Sequence, residues 1–172
     1  MADLKNLKTK IIRLIKQLQN IAKENGIDFV VAQGFRSIEE QNKLYAQGRT
    51  KPGKVVTNAR GGDSLHNFGV AFDVCPLVSG KADWKNIKAF NKLGELGKSL
   101  GLEWGGDWKK FPARPHFQYT AGYKLIDFKK NKIDWVRFEL INNHNEKDIT
   151  IFFDIYNQFC IVCKTKQSCY AA

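Results

Sequence analysis

The 172-residue chain is 43% hydrophobic and 12% aromatic, enough for one domain with an apolar core that needs no disulfides. No apolar run approaches the roughly 18 residues of a membrane span, and residues 1–26 are studded with lysine where a secretory signal would be apolar, so the chain reads as soluble and as released to any extracellular target by other means. A formal charge of +11 calls for an anionic partner, whether nucleic acid, a membrane surface or a cell-wall polymer. That charge is uneven: residues 1–125 hold 21 Lys+Arg against 11 Asp+Glu, and residues 126–172 hold 7 against 6.

Leu4, Leu7, Ile11, Leu14, Ile15, Leu18 and Ile21 recur at helical spacing and predict an amphipathic first helix ending near Gly26. "IDFVVAQ" (Ile27 to Gln33) then reads as a strand between two glycines. Ser37 followed by Glu40 forms a capping box, so a second helix should run to the stop at Gly48. Arg49 to Asp63 is a loop. "GVAFDVC" predicts a core strand from Val70 to Cys75, halted by Pro76. Asp83 is placed to cap a third helix with Trp84, Ile87, Phe90, Leu93, Leu96 and Leu100 as its apolar face and Gly101 as its stop. Short strands "LEW" and "HFQY" follow, joined by "GGDWKKFPARP". The remainder divides differently: "DWVRFEL", "DITIFFDIY" and "FCIVCK" predict a three-stranded meander, which makes residues 126–172 a β-rich extension of a domain spanning 1–125.

Cys75, Cys160, Cys163 and Cys169 do not form the paired framework of a small secreted domain. "CIVC" has metal-type spacing without a second pair, so buried free thiols are preferred over a disulfide or a structural zinc.

Chemistry concentrates elsewhere. The chain has three histidines, and His144 falls in a polar turn of the extension, which leaves His66, Asp73 and His116 as the candidate metal ligands. Two histidines and one carboxylate suit an open zinc site with a fourth position for water. Asp73 lies on a buried strand, where a lone carboxylate is expensive unless paired or bound to a cation. Gly69 and Ala71 are small and are expected to keep space clear between the ligands.

The pattern Ser64-x-His66-x-x-Gly69-x-Ala71-x-Asp73 resembles the signature of the zinc D,D-carboxypeptidases and L-alanyl-D-glutamate endopeptidases, the VanY-like and phage endolysin group. "GGDWKKFPARPHFQY" resembles the second motif of that group, and "VVAQGFRSIEEQNKLYAQGRT" the segment carrying a substrate-facing arginine. The likeness covers roughly Leu4 to Tyr123. It implies an α+β fold, a small antiparallel sheet with flanking helices of the Hedgehog/D,D-peptidase type. It also implies Zn2+ on His66, Asp73 and His116, Arg36 at the scissile carbonyl, Ser64 binding substrate or ordering its loop, and peptidoglycan as the partner.

One position departs from that pattern. The group places Asp or Glu three residues before the last histidine, to move the proton of the attacking water, and this chain has Ala113 there. An inactivated enzyme, a non-catalytic relative, or replacement of the base by Asp107 would each fit. Retention of every other motif residue favours the first. Three classes of function follow: a stem-peptide hydrolase of the endolysin type, with cleavage between L-Ala and D-Glu preferred over a VanY-type D,D-carboxypeptidase activity; a zinc-bearing wall-binding module; and a nucleic-acid binder, which has charge alone behind it and no recognisable motif.

Overall fold

The computed structural model describes residues 4–140. Helix α1 (Thr9–Glu24) starts later than its apolar spacing suggests, because Leu4 and Leu7 belong to a preceding turn closed by Leu7 N–H to the Leu4 carbonyl. Of the predicted stripe, Leu7, Ile11, Leu14, Ile15 and Leu18 lie in the core together with Ala22, while Leu4 and Ile21 are half-buried against it. Strand β1 (Asp28–Gln33) follows, with Phe29 and Val31 turned inward. Helix α2 (Ile38–Ala46) begins at the expected capping box, in which Ser37 Oγ accepts from Glu40 N–H at 3.1 Å and Glu40 Oε2 accepts from Ser37 N–H at 2.8 Å.

Strand β2 (Ala71–Val78) runs through Pro76 rather than stopping before it. The Pro76 carbonyl points away from β1 to accept from Asp83 N–H, and in an antiparallel ladder the missing N–H of the same residue faces that side too, so no bond to β1 is lost. A two-residue strand β3 (Lys81–Ala82) folds back on the end of β2. That hairpin occupies Asp83, whose side chain accepts from Lys85 N–H in a turn. Helix α3 (Ile87–Ser99) is therefore capped by Asn86, not Asp83, and Trp84 and Ile87, expected on its apolar face, are exposed.

Strands β4 (Glu103–Trp104) and β5 (His116–Gln118) complete an antiparallel sheet in the order β1-β2-β5-β4, with β3 paired to β2. Helix α3 approaches the sheet through two glycines. A Cβ on Gly94 would lie 2.4 Å from Trp104 Cδ2, and one on Gly97 2.5 Å from Phe117 Cε1. Phe72 and Phe117, paired across β2 and β5, stack with centroids 5.6 Å apart on the face that α1 and α3 cover.

The compact unit continues through Phe138, beyond the expected boundary at residue 125. Helices α4 (Leu125–Lys129) and α5 (Trp135–Leu140) bring Phe128, Ile133 and Phe138 into the same core as α1 and the sheet. "DWVRFEL" is thus a helix rather than the first strand of a meander. Asp134 starts it by accepting from Arg137 N–H at 2.9 Å, and Phe138 packs edge-on to Tyr119 and Phe128. The other two expected strands, His144, Cys160, Cys163 and Cys169 lie outside the described residues. Cys75 is a buried free thiol in β2, and burial pushes its pKa up.

Candidate metal centre

Alternation along β2 sends Phe72 and Val74 into the core and Asp73 to the opposite face. The ladder register sets Asp73 directly opposite His116 on β5, with Gln33 of β1 on its other side. His66 reaches the same face from a 3-10 turn (Leu65–Phe68) that ends at Gly69 in the left-handed region, φ 68°. Gly69 makes room for something other than the ligands. A Cβ there would lie 2.4 Å from the Asn6 carbonyl oxygen, so its role is close passage of the N-terminal segment, sealed by Lys8 N–H to the Gly69 carbonyl.

The three predicted ligands converge. His66 Nε2 lies 3.1 Å from His116 Nδ1 and 3.4 Å from Asp73 Oδ1, and His116 Nδ1 is 3.1 Å from the same oxygen. Among the described residues this is the only cluster of His, Cys, Asp and Glu that could hold a metal ion. Ligand atoms about 2.0–2.1 Å from zinc at the corners of a tetrahedron are about 3.3 Å apart, which matches these spacings.

Proton positions make the stronger test. His66 Nδ1 is 2.7 Å from the Gly34 carbonyl, an acceptor only, so this nitrogen carries the proton. On His116, Nε2 faces Gln118 Oε1 at 3.0 Å and takes the same part. With one proton on each ring, held outward in this way, the inward nitrogens and the carboxylate oxygen would present three lone pairs to one another at 3.1–3.4 Å. A cation resolves that repulsion, and the outward N–H bonds are of the kind that orient metal-binding histidines.

Arg36 sits beside this cluster, nine-tenths buried, with Nη2 3.5 Å from Asp73 Oδ2. Its Nη1 donates to Gln41 Oε1 at 2.7 Å, and its Nε is buried without a hydrogen-bond partner. Gln41 is fully buried on α2, and its amide nitrogen donates to the Ala59 carbonyl at 2.8 Å, so one side chain ties the guanidinium to the loop that leads into Ser64. Asn67 completes the tie, donating to the Arg36 carbonyl at 2.7 Å and accepting from Gly62 N–H at 2.9 Å. Sequence reasoning passed over both residues, although Asn67 adjoins His66 and Gln41 follows the capping box. Ser64 precedes the 3-10 turn, half-buried, and its hydroxyl makes no cap bond.

Ala113 stands one tight turn from His116, its carbonyl accepting from His116 N–H at 3.0 Å and its N–H donating to the Gly105 carbonyl at 2.9 Å. Asp107 is engaged elsewhere, accepting from Lys98 Nζ at 2.9 Å in an exposed pair. Trp108 covers His116 with ring centroids 5.0 Å apart, and Trp104 Nε1 donates to the Arg114 carbonyl at 2.8 Å, holding the connection over the site.

A small antiparallel sheet bearing a His/Asp/His centre beside a buried arginine defines a class of metallopeptidase-like domains. The chain belongs to the VanY family, described as D-alanyl-D-alanine carboxypeptidase, whose profile matches residues 4–122. It is 43% identical over 116 residues to the peptidoglycan L-alanyl-D-glutamate endopeptidase CwlK of Bacillus subtilis (strain 168), a match covering 59% of this chain and 66%, just under two thirds, of that protein. In fold it is similar to the L-Ala D-Glu endopeptidase ChiX of Serratia marcescens, with TM-score 0.53 and 24% identity over 68% of this chain and 83% of that one. It is also similar to a variant of the vancomycin-resistance D,D-pentapeptidase VanY solved with Zn(II), with TM-score 0.50 and 16% identity over 77% of this chain and 83% of that one. No helix among the described residues is long and apolar enough to cross a membrane.

Proposed function

We propose that this chain is a zinc-dependent peptidoglycan stem-peptide hydrolase of the endolysin type, specific for the bond between L-Ala and D-Glu and held to slow turnover by Ala113. The observation that carries this reading is the convergence of His66 Nε2, Asp73 Oδ1 and His116 Nδ1 within 3.1–3.4 Å of one another beside a buried arginine. Zinc bound there would lower the pKa of a water to about 7 and polarise a carbonyl. Arg36, with an unpartnered Nε–H and a second nitrogen near Asp73, is positioned to hold the carbonyl oxygen as charge develops on it. Trp108 shields one side of His116 from solvent. At Ala113 no group takes or returns a proton. The choice of bond rests on the likeness to CwlK.

Digestion of purified peptidoglycan, with mass analysis of the released peptides, tests the reading. New N-terminal D-Glu, formed slowly by this chain and faster by Ala113→Asp, is the expected result. Release of terminal D-Ala alone would replace it with the carboxypeptidase reading. Wall binding with no product from either form would leave a wall-binding module.

A further inference from the structure

We propose that Glu103 and Gln118 form a positioning relay that dictates which nitrogen of His116 carries its proton, and thereby sets the metal affinity of the His66–Asp73–His116 centre. The proposal rests on the metal reading above. Gln118 lies two residues beyond His116 on β5, so both side chains stand on the same face, and β4 sets Glu103 directly opposite Gln118. An amide can present either its oxygen or its nitrogen to His116. Glu103 decides between them: its carboxylate only accepts, and Oε2 takes the Gln118 Nε2–H at 2.8 Å. The Gln118 oxygen is left facing His116 Nε2 at 3.0 Å. Thr120 donates its hydroxyl to the other Glu103 oxygen and fixes the carboxylate.

The polarity of this chain of bonds matters because His116 presents Nδ1 to the centre. With Gln118 turned over, its NH2 would face Nε2, the proton would move to Nδ1, and the nitrogen aimed at Asp73 and His66 would no longer be a ligand. Partners of this kind typically alter metal affinity 10–100-fold. Glu103 bonds to Gln118 and Thr120 rather than to the three ligands, and acts through Gln118.

Reversing the polarity tests the relay. Glu103→Lys puts a group that only donates opposite Gln118, so the Gln118 oxygen should turn towards it and its NH2 towards His116. In the metal-free protein, long-range proton–nitrogen NMR spectra should then move the His116 proton from Nε2 to Nδ1, and competition with a chromophoric chelator should read zinc affinity lowered about 10–100-fold. Adding Gln118→Glu supplies a carboxylate that accepts from both neighbours, and should return the proton to Nε2 and affinity to within about threefold. A proton that stays on Nε2 in Glu103→Lys, or a double variant as weak as the single one, overturns the relay. Failure of the unaltered chain to bind zinc would instead sink the metal reading, while the nitrogen spectra still decide the relay.

Discussion

Asp73 and His116 face each other across the β2–β5 ladder, carboxylate oxygen to Nδ1 at 3.1 Å, with His66 Nε2 closing the triangle. The ladder itself fixes two of the three donors, and only His66 depends on a turn outside the sheet. One zinc ion per chain is expected, with His66→Ala or Asp73→Ala abolishing it and His144→Ala leaving it intact. Elemental analysis measures the stoichiometry. A thermal melt with and without chelator measures the stabilisation, expected to be about 2.7 kcal/mol when free zinc is 100 times its Kd.

Gly97 and Phe117 supply a second test, of how α3 supports the site. Alanine is ordinarily about 1 kcal/mol better than glycine inside a helix. Here its Cβ would sit 2.5 Å from Cε1 of a fully buried ring next to His116 in sequence. Gly97→Ala is therefore expected to destabilise by about 1–3 kcal/mol in urea unfolding. A gain in stability would mean that the helix shifts freely over the sheet.

Ser37 caps α2 one residue after Arg36, so losing the cap loosens the start of the helix that also carries Gln41. Ser37→Ala should cost about 1 kcal/mol of stability, read in the same unfolding experiment. Ser37→Asp keeps an acceptor for the Glu40 N–H and should recover most of it.

The convergence of His66, Asp73 and His116 was legible because histidine is rare in this chain and two of its three stand in the motifs that carry the resemblance. Arg36 was marked only by the resemblance of its segment to the group's arginine-bearing stretch, and the structure places it beside Asp73. What lay beyond reach was every partner set by long-range pairing. Glu103 and Gln118 meet only because β4 and β5 align, and Gln41 gains its role only when the loop carrying Thr57 and Ala59 folds over it. The segment Trp135–Leu140 misled for a related reason: its aromatic and β-branched residues suit a strand, yet docking of Trp135 and Phe138 around Phe128 repays a helix that Asp134 can start. Asp83 was the expected cap, and only the β3 hairpin draws it into a turn and leaves that place to Asn86.

Wall retention should follow the charge of residues 1–125, where 21 Lys+Arg outnumber 11 Asp+Glu. Exposed charges are screened over about 10 Å at 0.1 M salt. Retention on purified cell walls is thus expected to fall steeply between low salt and about 0.5 M, and salt-independent retention would point to a specific pocket instead.

The most direct prediction concerns position 113. Ala113 closes the turn into His116 with its carbonyl, whereas the carboxylate of Asp107 is paired with Lys98. A positioned general base contributes about 10²–10⁴-fold to a hydrolysis. Ala113→Asp should therefore raise the rate of stem-peptide cleavage by at least about 10²-fold while zinc content stays constant. Ala113→Glu tests reach separately from charge, because the longer side chain carries the carboxylate about one carbon–carbon bond further. Asp107→Asn should leave the slow rate of the unaltered chain unchanged. Brisk hydrolysis by the unaltered chain, lost in Asp107→Asn and not increased by Ala113→Asp, would assign the proton transfer to Asp107, with Lys98 released from it during turnover.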